Sequence, residues 1–478
     1  MEDFPSGHPA KYAPQARLVD VVTGKVIGSS TVRAELETEL GRASAPTSVI
    51  EPDLISAKVT LTNTGVAQLQ VTLNNQRLVN GLPAWPPWKY NDFWTKRVNL
   101  GSDGLGGIVF GQVIRLDLRY ADSPWYKMIV AQVTDLQFSF PAAGGSQLQV
   151  VAEDLLSKLK VKPSADMPFN GKQEEAIVEE IVAAAFADAT QRPAVTLVPG
   201  AAADEGRTQP LRSARLQKTS TYFQFVTDLC ERLDYELYVD FVSVAADRSM
   251  ASTTAVESIP SSLRLNFRRA RSQPTAAERA DWESNLESGE RPHLVLRWGR
   301  DLIEFSPKIK VFDLPASAGG GGTTPGRRAR QQATLTSAEL NALLRKELVA
   351  APNSSDVPMV TALDVREGSD TSGGNNDSAA GSGLDQPRLK LKAAAQFMKR
   401  SRECQTADAQ IVGHPRLRPG NFVEVVGLRP PFDGYYYVTK TVHTLDAAGY
   451  KTQFSVRRPG MQGPDHYLPA PPASGGAS

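Results

Sequence analysis

The stretch that decides the fold runs His414-Pro415-Arg416-Leu417-Arg418-Pro419-Gly420-Asn421-Phe422-Val423-Glu424-Val425. Pro419 fixes φ and Gly420 permits a tight turn. From Phe422 the side chains alternate, Phe422 and Glu424 to one side and Val423 and Val425 to the other, so a strand begins here. The segment reads as the corner of a β-barrel, a chain reversal that feeds a strand. Its role on this reading is architectural rather than chemical.

Outward from that corner the β pattern continues. Gly434 to Val442 is a strand, Asp446-Ala447-Ala448-Gly449 a hairpin loop, and Tyr450 to Val456 the return strand. Ala409 to Val412 precedes the corner as another. Near the other end, Ser56–Thr62 and Gln68–Leu73 place apolar residues at every second position. The period resumes in Val113–Tyr120, Met128–Val133, Leu136–Phe140 and Gln147–Ala152. Short strands at this spacing indicate an antiparallel sandwich or barrel.

The middle of the chain changes period. Gln173 to Ala189 is an amphipathic helix with Ile177, Ile181, Ala184 and Ala185 inward and Glu174, Glu175, Glu179 and Glu180 outward. A second helix runs from about Thr221 to Leu233, capped by Ser220 or Thr221, with Tyr222, Val226, Leu229, Cys230 and Leu233 on its core face. Strands follow at Tyr235–Phe241, Leu263–Phe267, His293–Trp298 and Leu302–Phe312. Pro315 to Gly326 has linker composition, and Thr336-x-x-Glu339 is a capping box for a helix from about Ser337. Gly368 to Gly383 is too polar and glycine-rich to build a core. Arg388, Lys390, Lys392, Lys399, Arg400 and Arg402 lie on a basic helix.

Composition narrows the function. At 478 residues the chain should hold about three domains. Its 53 basic and 52 acidic residues leave a net charge of +1, so no overall field draws it to nucleic acid or anionic lipid. Two cysteines far apart make neither a disulfide framework nor a four-thiolate zinc site. The first residues lack the apolar core of an export signal and no stretch is long enough to span a bilayer, so a soluble protein is expected. Five histidines without zincin spacing, and no Gly-x-Ser-x-Gly elbow, lean against a hydrolase or metalloenzyme. The expectation is no enzyme, no catalytic residue, no metal and no cofactor.

Three segments invite a binding role. Gly101-Ser102-Asp103-Gly104-Leu105-Gly106-Gly107 lacks the Lys-Ser/Thr ending of a phosphate loop and reads as a β-connection. Trp85-Pro86-Pro87-Trp88, with Trp94 nearby, is the densest aromatic cluster. It is either a loop packed on the first β-block or an interaction surface of Trp85, Trp88 and Trp94. The basic helix lacks interleaved aromatics for base stacking, so nucleic acid is not its expected partner.

The run from His414 to Val425, followed by Phe432-Asp433-Gly434-Tyr435-Tyr436-Tyr437-Val438 and the hairpin to Arg457, resembles the C-terminal half of tail hub proteins. These comprise the phage late control D proteins, the T4-type baseplate hub and the N-terminal part of type VI secretion spike proteins. Thr219–Val239, Arg115–Phe140 and Trp298–Phe312 resemble further segments of that family in the same order. The resemblance implies an α+β, mainly β fold: two tail-tube-like antiparallel β-barrels with an intervening helical segment. The expected division is a flexible N-terminus at 1–14, a first barrel at 15–160 and a mixed middle domain at 161–259. A second barrel takes 260–313 and 408–458, interrupted by a Gly/Ser-rich insertion at 314–387 and the basic helix at 388–407; 459–478 is a disordered tail. Pro415, Pro419, Gly420, Gly434 and Tyr435 become its architectural motif residues.

The implied function is a structural hub, a homotrimer that seats a hexameric inner tube on a trimeric spike and contacts baseplate proteins. Fused spikes continue into a further barrel and a long β-helix, so here the spike should be a separate polypeptide. Such a subunit assembles in the cytoplasm, joins a phage-tail-like particle and needs no integral membrane contact. The alternatives are a tail-tip cell-wall hydrolase and a module that loads cargo into the tube through the 317–385 region.

Overall fold

Alternating strands separated by short turns build most of the molecule. The structure, a computed structural model, describes residues 14–24, 26–30, 53–79, 82–88, 90, 108–120, 124–142, 145–197, 211, 214–242, 259–272, 274, 294–309, 317–323, 330–336, 386–429 and 432–459. Trp94, the glycine run 101–107, the helix expected from Ser337 and the tail from 460 lie outside these residues.

The first part of the chain gives β1 (Pro14–Asp20), β2 (Val26–Ser29), β3 (Leu54–Thr62), β4 (Gln68–Asn74), β5 (Gln76–Val79), β6 (Leu82–Trp88), β7 (Val113–Tyr120), β8 (Tyr126–Ser139) and β9 (Gln147–Asp154). A 3-10 turn, Leu155–Lys160, leads into the middle segment, where Asp154 caps it by accepting from the Leu156 amide. There follow β10 (Met167–Pro168), α1 (Glu174–Ala185), β11 (Ala194–Leu197), β12 (Arg215–Leu216), α2 (Tyr222–Leu233), β13 (Tyr235–Phe241), α3 (Ile259–Ser262) and β14 (Leu263–Arg269). The last part comprises β15 (Leu294–Arg297), β16 (Leu302–Ile309), β17 (Ser317–Thr323), β18 (Arg330–Thr336), α4 (Gln386–Arg402), β19 (Gln405–Val412), β20 (Phe422–Val426), β21 (Gly434–Asp446) and β22 (Gly449–Arg458).

Thirteen strands form one sheet, in the order β2-β1-β7-β8-β9-β4-β3-β21-β22-β19-β16, with β20 on β21 and β15 on β20. Every pairing is antiparallel except β15 with β20. The sheet has two halves that repeat one order. β3-β4-β9-β8-β7 in the first corresponds to β16-β19-β22-β21-β20 in the second. Each half packs its inward side chains into a separate apolar cluster, one holding Leu18, Leu69, Leu116 and Val150, the other Leu296, Ile411, Val425 and Tyr436. A third cluster belongs to the middle segment, where α1 and α2 join the sheet β11-β14-β13.

The mainly β, α+β character expected from the sequence is what the chain adopts, with local corrections. Met128–Val133 and Leu136–Phe140 are one strand, β8, because a bulge between Val133 and Asp135 restores the alternation without ending the strand. Leu263–Arg269 pairs with β13 and β11, so it belongs to the middle sheet rather than to the second β-block. Ser317–Thr323 lies within the expected linker yet pairs antiparallel with Arg330–Thr336, since glycine keeps the N–H and C=O that a ladder uses. Trp85-Pro86-Pro87-Trp88 lies on β6, paired with β5, rather than in a loop. On α1, Glu174 is buried and Ala184 exposed, because Val178 and Val182 join Ile177 and Ile181 on the inward stripe. Helix α2 keeps its expected face, and the Thr221 hydroxyl caps it by accepting from the Gln224 amide at 3.1 Å.

Candidate functional site: the seam between the sheet halves

The two halves meet where β21 takes β3 as a neighbour. Lys440 to Leu445 pairs with Thr62 to Ala57, immediately beyond the stretch of β21 that pairs with β20. Leu445 and Tyr450 cross the seam into the apolar cluster of the first half. The chain thereby joins two similar sheets edge to edge with main-chain hydrogen bonds and leaves neither edge open at the join.

The turn that feeds the seam is the one read from the sequence. Gly420 sits at φ +88°, its amide donates to the Val438 carbonyl at 2.9 Å, and the Val438 amide donates to the Asn421 carbonyl at 2.9 Å. The first half repeats this geometry at Gly111, with φ +78°. The Gly111 amide donates to Val133 O and the Val133 amide to Gln112 O, both at 2.9 Å. One residue later each half has a bulge with a threonine in it. Thr439 Oγ1 donates to Ser455 O at 3.1 Å, and Thr134 Oγ1 to Val151 O at 3.2 Å. Gly111-Gln112-Val113-Ile114 and Gly420-Asn421-Phe422-Val423 are thus copies of one device. Sequence reasoning found the second and missed the first, although the shared Val-Thr pairs at 133–134 and 438–439 carried the signal.

Of the motif residues, Pro415, Pro419 and Gly420 lie buried in the loop before β20. Gly434 opens β21 at φ +126°, and Tyr435 stands opposite Glu424, packed on Phe422 and Tyr437. Gly420 also seats the middle segment. A Cβ here would lie 2.5 Å from Tyr238 Oη and 2.9 Å from Arg268 Nη2, and that Nη2 donates to the Gly420 carbonyl at 3.1 Å. The corner is therefore also a contact between lobes.

A set of buried polar residues completes the seam. Glu236, on β13 and 1% exposed, accepts from Asn63 Nδ2 at 2.6 Å and Arg457 Nη2 at 2.9 Å through Oε1, and from the Tyr437 hydroxyl through Oε2. One carboxylate thus ties the middle segment to both sheet halves. Arg418 does the same from the motif loop. Its Nε donates to Asp240 of β13 at 2.9 Å, and its Nη1 and Nη2 donate to the carbonyls of Lys127 and Met128 on β8, each at 3.1 Å. Arg402, at the end of α4, pairs with Asp234, the left-handed residue that closes α2. Asn63, Glu236, Asp240, Arg418 and Arg457 were not singled out from the sequence. The only hint was a glutamate in the otherwise apolar and aromatic run Tyr235–Val239.

Burial sets the electrostatics. His443 lies inside the seam with Nε2 3.1 Å from the Leu417 carbonyl and Nδ1 2.9 Å from the Tyr450 hydroxyl. A carbonyl only accepts, so Nε2 carries the proton and Nδ1 accepts from the tyrosine. Burial first, then the Arg418 charge, depresses the His443 pKa to about 3; burial and Arg416 bring His414 to about 3 as well. Both rings are neutral at physiological pH. Asp154 is pushed up to about 7 by burial, against the amide that it caps. Burial would raise Asp117 too, but the guanidiniums of Arg115 and Arg17, 2.7 and 2.9 Å away, outweigh it and hold that carboxyl below the usual range. His443 ties β21 to the motif loop at Leu417, while the bonds of Asp154 and Asp117 stay within the first half of the sheet and the 3-10 turn that follows it.

No family model matches the sequence, and no curated protein matches it. Solved structures do. The chain aligns with the tail protein from Neisseria meningitidis MC58 over 96% of its own length and 100% of that chain, with TM-score 0.50 and 11% identity. It also aligns with the 43 kDa tail protein of prophage MuSo2 from Shewanella oneidensis, over 94% and 99%, with TM-score 0.45 and 12% identity. An E. coli component of the type VI secretion system aligns over 87% and 76%, with TM-score 0.46 and 11% identity. At these identities the likeness is one of fold. The chain has the fold of a tail protein, in agreement with the resemblance read from residues 414–457.

Proposed function

We propose that this chain is a tail hub, a structural subunit that assembles as a homotrimer and joins a hexameric inner tube to a trimeric spike. The observation that carries the reading is the repeat within the sheet: two halves of the same strand order, joined edge to edge by β21 and β3. A chain of this kind supplies two successive segments of a ring, so three chains supply six. One surface of such a ring offers six similar segments to a six-fold tube, while the other keeps three-fold symmetry for a spike.

The buried polar seam serves this role. A ring closes only if the rotation from one segment to the next is fixed, and Glu236 and Arg418 pin that relation through three lobes. The part played is mechanical, with baseplate proteins around the ring, and no chemical step is assigned to any residue. Assembly would take place in the cytoplasm, before the particle is complete.

Size-exclusion chromatography with light scattering tests the reading. The expected mass is three copies of the 51.7 kDa chain, and the species should bind tube and spike subunits. A persistent monomer that joins neither would overturn it.

A further inference from the structure

The repeat between the halves extends to their outer edges, and among the described residues one pairing has no counterpart. β3 and β16 occupy the same place in their halves. Each pairs antiparallel with the next strand, β4 or β19, and each carries a bulge holding an exposed isoleucine. Ile55, 44% exposed, falls between Leu54 and Ser56; Ile303, 52% exposed, falls between Leu302 and Glu304. β8 and β21 likewise correspond, through the bulge threonines Thr134 and Thr439.

In the second half, β21 beyond its bulge receives β3 along Lys440–Leu445. In the first half, β8 is paired with β7 only as far as Gln132, and beyond its bulge it carries β9 on one side alone among the described strands. β16 likewise has β19 as its only strand neighbour among the described residues. Among the described strands, one edge of the kind that takes a strand and one strand with an open edge thus remain, at separate places in the sheet.

We propose that Thr134–Ser139 of β8 is the docking edge for a second copy of this chain, and that β16 of that copy is the strand it receives. The proposal rests on the homotrimer reading and specifies its contact. The internal seam fixes the register. β21 sets Thr441 against Leu61 and His443 against Val59, which transfers to Leu136 against Ile309 of the second copy and Phe138 against its Pro307. The chemistry suits that register. Ile309 is 43% exposed and would gain an apolar neighbour in half-buried Leu136. Lys308, exposed on β16 and 3.3 Å from Asp408 of β19, falls opposite Gln137, whose Nε2 donates to Asp135, diagonal to Lys308 on the same face. Pro307 carries no N–H, so β16 offers this register one donor fewer than β3 offers at Val59. The contact is head to tail, because each copy gives β16 to one neighbour and takes β16 from the other.

Cysteine cross-linking tests the register. Directly opposed residues of an antiparallel pair have the Cα separation that a disulfide accepts. The native thiols, Cys230 and Cys404, are both buried. The full-length double variant Leu136→Cys/Ile309→Cys, mildly oxidised and run on a non-reducing gel, should give covalent dimers and trimers at least tenfold above either single variant. The offset pair Leu136→Cys/Lys308→Cys places its thiols on opposite faces and should stay at background. A trimer by light scattering without that cross-link, or with a bond formed within one chain, overturns the strand pairing and leaves the trimer standing; a monomer overturns both. A second variant keeps the test open if the double variant fails to fold. Ile309→Asp, at an exposed site, should raise the concentration at which half the trimer dissociates at least tenfold, and an unchanged midpoint overturns the proposal.

Discussion

Replacing Glu236 by glutamine keeps the shape of the side chain and removes its charge and one of its acceptors. In the native seam both oxygens accept, from Asn63 and Arg457 on one side and from Tyr437 on the other. The tyrosine hydroxyl is pushed above its usual pKa by burial and by Glu236, so it stays protonated and donates. Glutamine offers one carbonyl and turns an NH2 toward a donor. Losing the charge-assisted bond to Arg457 removes about 1.5–3 kcal/mol, and one stranded buried donor adds about 1–3 kcal/mol. The expected loss is therefore ~4 kcal/mol, within the range for breaking a buried ion pair from one side. Urea denaturation followed by tryptophan fluorescence and far-ultraviolet circular dichroism measures it. Because the carboxylate joins three lobes, the two probes should also cease to coincide. The double variant Glu236→Gln/Arg457→Met, which removes both charges together and keeps the glutamine carbonyl as an acceptor, should recover at least ~1 kcal/mol on Glu236→Gln. A Glu236→Gln protein within ~1 kcal/mol of the parent, unfolding in one step, would refute the assignment of this carboxylate as the tie between lobes.

The two glycine turns give a paired comparison. Gly420→Ala meets both a left-handed φ and the Tyr238 and Arg268 side chains, and should lose about 2–3 kcal/mol. Gly111→Ala has φ +78° but only Gln132 Nε2 at 3.4 Å, and should lose about 1–2 kcal/mol; equal losses would show that the lobe contact at Gly420 adds nothing. His443 is neutral when buried, so the unfolded chain gains a proton below about pH 6.5 that the folded chain accepts only near pH 3. Stability should therefore fall as pH drops through that window, by about 2.5 kcal/mol for this group between pH 7 and 4.5, and His443→Gln should remove that part of the slope in urea titrations. Asp154 acts in the opposite sense. With its folded pKa raised to about 7, stability is lost as pH rises from about 4 to 7, so Asp154→Asn should gain up to ~4 kcal/mol on the parent at pH 8 and little at pH 4.

Residues 414–425 were legible because a Pro-Gly turn followed by strict alternation leaves few backbone conformations, and Gly420 adopts the positive φ that the turn requires. Helix α2 was legible for the same kind of reason, since its cap and its inward stripe are local. The seam was not, because pairing of β3 with β21 joins residues far apart in the chain, and neither strand's own pattern names its neighbour. Glu236 shows the limit from the other side. A charge inside an apolar strand reads as an edge or an error until Asn63, Tyr437 and Arg457 are brought to it by the fold. β14 was assigned to the wrong sheet because alternation says that a strand exists and not which strand lies beside it. The pairing of Ser317–Thr323 with Arg330–Thr336 is not legible, because its ladder depends on backbone groups that composition does not weigh.

In the proposed hub, one chain supplies two segments of a six-segment ring. Electron-microscopic class averages of the purified protein, viewed end on, test this most directly. Six lobes with three-fold symmetry are predicted, each chain contributing two adjacent lobes; isolated two-lobed particles, or rings with a number of lobes other than six, would contradict it.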